Sequence, residues 1–280
     1  MKKFLLAATV LGAAGMFSSA ALAADVAPVP ESQVGFTADI WGGYYFLGSS
    51  SEDAADSGLD KDFPSAGADA SVMFGVSDDF LLQLSAQGAL NFLGSSDDDQ
   101  VEAGWQIAGH IAHSSGFGVF GGYGEADYDD DNTSHLWFLG AEYGHDFGAA
   151  NVLLQAGYLD SNTGNTAALG NAWFVQVAPS FDISESLSMG LHGGVALGEV
   201  DGENGNYVAS WGASFDYMLD AAPVTLFAAY DGLYMNGDDG SAADEHQVKL
   251  GLKISLGGIA AKEIDTPEIY RWVGVGQRSD

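Results

Sequence analysis

The stretch Gln247-Val248-Lys249-Leu250-Gly251-Leu252-Lys253-Ile254-Ser255-Leu256 alternates polar and apolar residues without a break. A strand sends successive side chains to opposite faces. Val248, Leu250, Leu252, Ile254 and Leu256 therefore form one greasy face, and Gln247, Lys249, Gly251, Lys253 and Ser255 a polar one. The same pattern recurs upstream, for example in Val101, Ala103, Trp105, Ile107 and Ile111 against Glu102, Gln106 and His110. Twelve such segments are legible, beginning near Val34, Ser65, Phe80, Val101, Phe117, His135, Asn151, Ala172, Leu187, Tyr207, Val224 and Gln247. The connections between them go long, short, long, short. Two segments are less regular. The fifth is rich in Gly and its facing is ambiguous, and Pro179 inside the eighth predicts a bulge or an early end. Twelve greasy faces need a covering, and lipid supplies one.

The N-terminus supports that reading. Lys2 and Lys3 precede an apolar stretch from Phe4 to Phe17, and Ala21-Leu22-Ala23 fits a cleavage site. Residues 1–23 read as a cleaved export signal and 24–33, with Pro28 and Pro30, as an extended periplasmic lead-in. No later segment has the length and unbroken apolarity of a spanning helix. The absence of cysteine removes disulfides, thiol nucleophiles and thiolate metal sites. The charge is lopsided, with 39 Asp plus Glu against 8 Lys plus Arg, and no cation stands between Lys61 and Lys249. Phosphate contacts need cations, so no nucleic-acid partner is expected.

Segments of this length match transmembrane strands, and an even number puts both chain ends on one side. The expected fold is all-β: a transmembrane up-and-down antiparallel β-barrel of about 12 strands over 34–256, with short periplasmic turns and longer acidic extracellular loops. Aromatics fall in two bands. Trp41, Tyr44, Phe46, Phe92, Trp137, Tyr158, Trp173, Tyr207 and Tyr230 lie toward the long connections, and Phe36, Phe74, Phe80, Tyr143, Phe147, Phe181 and Tyr217 toward the short ones. Two bands are the interfacial girdles of such a barrel.

The last strand also resembles the C-terminal assembly signal of Gram-negative outer-membrane β-barrels. Lys249, Gly251, Ile254 and Leu256 fill its polar, Gly and hydrophobic places, although the chain continues past Leu256 where the family usually ends on an aromatic. The resemblance, to porin-like proteins in particular, covers about 34–256. It implies the bacterial outer membrane, contact with its lipid and lipopolysaccharide, and the barrel-assembly machinery as a partner.

The polar face would line the lumen with Asp39, Asp69, Gln83, Gln87, Asn91, Glu102, Gln106, His110, His192, Asp216, Lys249 and Lys253. Small residues fill most of its remaining places, which predicts a narrow aqueous pore biased toward cations; a lumen plugged by side chains or a folded-in loop is the other reading. Asp127, Asp129 and Asp131 have the opening spacing of a calcium loop. Asn132 replaces the Gly of that loop and Phe138 its bidentate Glu, so a solvated charge run, with Ca or Mg held loosely at most, is expected; no other cofactor is implied. The adjacent pairs Ser134-His135 and His113-Ser114 point to opposite faces of a strand and make no triad, so no enzyme is expected. In the tail, 257–280, Thr266 as N-cap, Pro267 and Gly274 outline a short helix with Ile269, Trp272 and Val273 on one face, suited to docking in the periplasmic mouth or on a partner; a disordered end is the other reading. The leading expectation is a channel for passive diffusion of small solutes. The alternative is a non-conducting barrel presenting its acidic loops or its tail to a periplasmic or surface protein.

Overall fold

A computed structural model describes residues 34–47, 62–94, 99–129, 132–162, 169–200, 203–219, 222–236, 242–257 and 264–274. The strands are β1 Val34–Leu47, β2 Asp62–Gly75, β3 Phe80–Gly94, β4 Asp99–His113, β5 Phe117–Asp129, β6 Asn132–Asp146, β7 Ala150–Asn162, β8 Gly170–Asp182, β9 Leu187–Val200, β10 Glu203–Met218, β11 Val224–Asn236 and β12 Ala242–Gly257. One helix, α1 Ile269–Gly274, follows. Each strand pairs antiparallel with its sequence neighbours, and β12 returns to pair with β1, so the sheet is a closed barrel. Closure leaves no unpaired edge, which a bilayer requires. The export signal and lead-in expected at 1–33 lie outside the described residues.

Alternation sets the facing. Ile40, Leu84, Ile107, Leu139, Val175, Leu250 and their neighbours are exposed on the outer surface, and the polar positions between them point inward. β5 follows the rule: Phe117, Val119 and Tyr123 face out, and Phe120 is buried inside. Most of the expected girdle aromatics lie outside, including Trp173 and Phe147. Trp41 does not. It is buried inside the barrel, because its odd-numbered neighbours Asp39 and Tyr45 set an inward face.

Two further expectations change. The strands are 13 to 16 residues long and run on into the acidic segments. Only residues 130 and 131 separate β5 from β6, and 201 and 202 separate β9 from β10. Loops expected there are largely strand, because a ladder once begun continues past the bilayer wherever partners remain. Pro179 makes neither bulge nor end. It pairs with Val152 of β7, while the β8–β9 ladder passes from Val177↔Gly193 to Ser180↔Gly190 in unchanged register. The missing N–H is absorbed in that gap. The bulge of β8 lies instead between Gly170 and Trp173, where Asn171 has φ 45°.

Inward aromatic rings lie flat against the wall because glycines leave room. A Cβ on Gly140 would stand 2.6 Å from the Phe120 ring, and one on Gly157 2.7 Å from the Phe174 ring.

Candidate functional site: a barrel lumen occupied by the C-terminal segment

The tail leaves β12 at the end of the barrel where the short turns lie and runs inside the wall as residues 264–274. Its start is held by glutamines. Gln83 Nε2 donates to the Ile264 carbonyl at 2.7 Å, and its Oε1 accepts from the Ile264 N–H at 2.9 Å. Gln155 Nε2 donates to the Asp265 carbonyl at 2.9 Å. Gln106 Nε2 donates to the Pro267 carbonyl at 2.7 Å, and its Oε1 accepts from the Tyr270 N–H at 3.2 Å. Gln87 Nε2 reaches the Thr266 and Pro267 carbonyls at 3.5 Å each. The register explains the cluster: Gln83 faces His110 across the β3–β4 ladder, and Gln87 faces Gln106.

Thr266 meets the same wall. Its hydroxyl is 2.9 Å from His110 Nε2 and 3.0 Å from Ser85 Oγ. His110 Nδ1 is 3.0 Å from Glu142 Oε2, which also accepts from Gln155. Thr266 is thus not the expected N-cap. The helix starts three residues later, and the wall claims the hydroxyl.

On the opposite side the anchor is ionic. Lys249 Nζ donates to Glu268 Oε1 at 2.8 Å and lies 3.0 Å from Asp231 Oδ2. Arg271 Nη1 donates to Glu268 Oε2 at 2.6 Å. Both cations also sit over inward rings, Lys249 over Trp41 at 4.8 Å and Arg271 over Tyr45 at 5.6 Å. Glu268 therefore bridges two cations, one from the wall and one from its own helix. Charge-assisted bonds of this kind are the strong ones.

Beyond the ion pairs a large apolar cluster shares the lumen with buried polar residues such as Asn91, Glu102 and Glu245. Ile269, Tyr270, Trp272 and Val273 are buried in one cluster with Phe120, Leu136, Phe138, Leu159, Phe174 and Leu233. Trp272 meets Phe174 edge to face at 5.6 Å. The inner face is therefore not polar throughout. Its half toward the acidic end carries large apolar side chains, where strands greasy on both faces no longer show clean alternation. With α1 in place, that half is packed core.

The other half is open. A cavity of about 1030 Å³ extends from the short-turn end to the tail. Its wall includes Asp39, Asp69, His192, Asp216 and Lys253, with Ser210 and Ser214 between them. Asp39 faces Asp69 on one neighbour and Lys253 on the other, with the Lys253 ammonium 3.7 Å away. His192 stands 3.5 Å from Asp231.

The structure places most of the residues expected to line the lumen in two groups. Gln83, Gln87, Gln106, His110 and Lys249 hold the tail, whereas Asp39, Asp69, His192, Asp216 and Lys253 line the cavity. Glu102 is buried and accepts from Asn91 at 3.4 Å, away from both groups. Ile254 faces outward, and Gly251 lies beneath the Phe227 ring. Of the calcium-loop candidates, Asp131 lies outside the described residues, as does the side chain of Asp129. Sequence reading missed Glu142, Gln155, Asp231, Glu268 and Arg271. Glu142 was the most accessible, a carboxylate between outward Ala141 and Tyr143.

No protein-family model matches the chain, and no curated protein matches it by sequence. Solved structures do. An outer membrane channel of Pseudomonas putida F1 aligns at TM-score 0.52 with 10% identity, covering 83% of this chain and 100% of that one. The NanC porin aligns at 0.47 with 10% identity over 78% of this chain and 100% of its own. The translocator domain of the autotransporter NalP of Neisseria meningitidis aligns at 0.46 with 11% identity, covering 90% and 97%. At such identity the first likeness establishes the fold, and the other two add no argument. The closed sheet, its apolar outer belt and its girdles define a transmembrane β-barrel of the bacterial outer-membrane type.

Proposed function

We propose that the protein is an outer-membrane channel for small polar solutes with a preference for cations, closed in its resting form by residues 264–274. The observation that carries this is the cavity: about 1030 Å³ of vestibule inside a lipid-facing barrel, ending at a peptide rather than at the wall. A barrel serving only as a scaffold has no need of such a space. An even strand count puts the chain ends and the short turns on the periplasmic side, so solutes enter the vestibule there.

The charge of the lining supports the cation preference. Among the described residues the three inward cations, Lys249, Lys253 and Arg271, each lie within 4 Å of a carboxylate, at Asp231, Asp39 and Glu268 respectively. Asp216 adds further negative charge, and Asp182 and Glu185 lie at the mouth. A cleft of one sign concentrates ions of the other.

Conductance across planar bilayers tests the reading. Protein lacking 258–280 should give steady steps with a cation-selective reversal potential in a salt gradient, and the full chain should be mostly closed. Absence of steps from truncated protein that keeps the heat-shifted gel mobility of a folded barrel would reject it. That result would favour the second reading, a non-conducting interaction barrel, for which the apolar packing around α1 speaks.

A further inference from the structure

We propose that the inner wall formed by β3, β4 and β7 is a peptide-binding site that reads main chain, and that residues 264–274 are its resident but exchangeable ligand. The ligand class is an extended, proline-containing peptide with an acidic residue after the proline and an apolar helical turn beyond it. The proposal concerns binding and holds whether or not the barrel conducts.

The wall contacts differ in kind from core packing. Gln83 gives and takes one hydrogen bond with a single residue, Ile264, as a neighbouring strand would. Gln106 repeats the two-point contact between Pro267 and Tyr270. Gln155 adds a third carbonyl. Strand addition gains its affinity the same way, from main-chain hydrogen bonds. Here side-chain amides supply those bonds, because the inner wall of a closed barrel has no free edge to offer. Gln83, Gln106 and Gln155 are almost wholly buried under the tail. A side-chain amide left by the tail is rehydrated from the neighbouring vestibule, whose wall the tail itself forms from Ile264 to Glu268. The glutamine wall can therefore be emptied at modest cost, and it is the apolar cluster around Ile269 and Trp272 that opposes release.

Proline fits this reading. It carries no N–H, so a segment met chiefly through its carbonyls loses nothing there. The acid after it, Glu268, takes the Lys249 ammonium, and Trp272 four residues on meets Phe174. Those two side chains supply selectivity, and the glutamines supply affinity that is tolerant of sequence.

The test uses the whole chain, with a specific protease site inserted between Ala260 and Ala261. The barrel is folded intact in detergent and then cut, and a fluorescent peptide of residues 262–280 is added. The expected result is that the cut segment co-purifies with the barrel and exchanges with labelled peptide in a saturable way. N-methylation of the peptide at Ile264 or Tyr270, which replaces a main-chain donor by a methyl group and leaves every side chain unchanged, should weaken binding about tenfold, as should Gln106→Ala in the barrel. Replacing the Ile264 side chain by Ala, which keeps both main-chain contacts with Gln83, should change it less than twofold. Barrel folded by gel mobility that binds no peptide overturns the proposal. So does binding indifferent to N-methylation but abolished by Ile264→Ala.

Discussion

At the scale of the residue, two positions show how the inner surface is built. Gly157 lies opposite Gly140 on the β6–β7 ladder, and a Cβ there would come within 2.5 Å of the Leu139 carbonyl and 2.7 Å of the Phe174 ring. A backbone oxygen moves only with the whole ladder. Gly157→Ala should destabilise the barrel by about 1–3 kcal/mol, the usual cost of overpacking. Gly42, whose added Cβ would meet nothing within 4 Å, is the control. Heat-dependent gel mobility should shift to lower temperature for the first and stay unchanged for the second. Glu268 is the other position. Glu268→Gln keeps the shape but deprives Lys249 and Arg271 of a shared carboxylate, leaving them with Asp231. Breaking such a pair costs up to about 3–5 kcal/mol when fully buried, and Glu268 is 29% exposed, so a smaller loss is expected. Single-channel recording should show a higher open fraction; an unchanged one would mean that the ion pairs do not hold the segment.

At the scale of the element, α1 is the informative case. A helix of six residues does not form alone in water, because nucleation is costly and only longer helices recover that cost. The lumen forms it. Trp272→Ala removes the ring that meets Phe174 and should loosen the segment by about 3–5 kcal/mol. Cleavage of the barrel-inserted tail by an added protease should quicken accordingly, and an unchanged rate would place its anchorage elsewhere. The sequence showed the short helix and its apolar face, Ile269, Trp272 and Val273, since spacing and Gly274 are local signals. It did not show what Thr266 does. A hydroxyl before proline looks like a cap by local rules, and only the position of His110, 156 residues earlier, makes it a wall contact.

At the scale of the whole molecule, the barrel separates two solvents. Leu139 stands at the middle of β6 and faces lipid, whereas Ser214 of β10 faces the vestibule. Leu139→Arg should cost about 2–4 kcal/mol, as a cation does at the midplane of a lipid face. Ser214→Lys should be tolerated in stability, yet reduce the cation preference of the tail-deleted channel. Unfolding in detergent or lipid and reversal potentials measure the two effects separately. Equal destabilisation by both would contradict the assignment of faces.

The sequence by itself determined the strands, their number, their up-and-down order and which face meets lipid. Alternation is a local property, and each strand carries its own record of it. Lys249 and Gln106 were legible as lumen residues for that reason alone. The tertiary structure decided what the lumen holds. Whether Gln83 lines a path or clasps a peptide depends on a segment 181 residues further along the chain, and no local spacing records that contact. Nor did alternation reveal the apolar half of the lumen, because strands greasy on both faces, where Leu136, Phe138 and Leu159 point inward, lose the contrast on which it depends. Side chains from twelve strands meet at the barrel axis only after closure, so the interior is set by the ring, and its exterior by each strand alone.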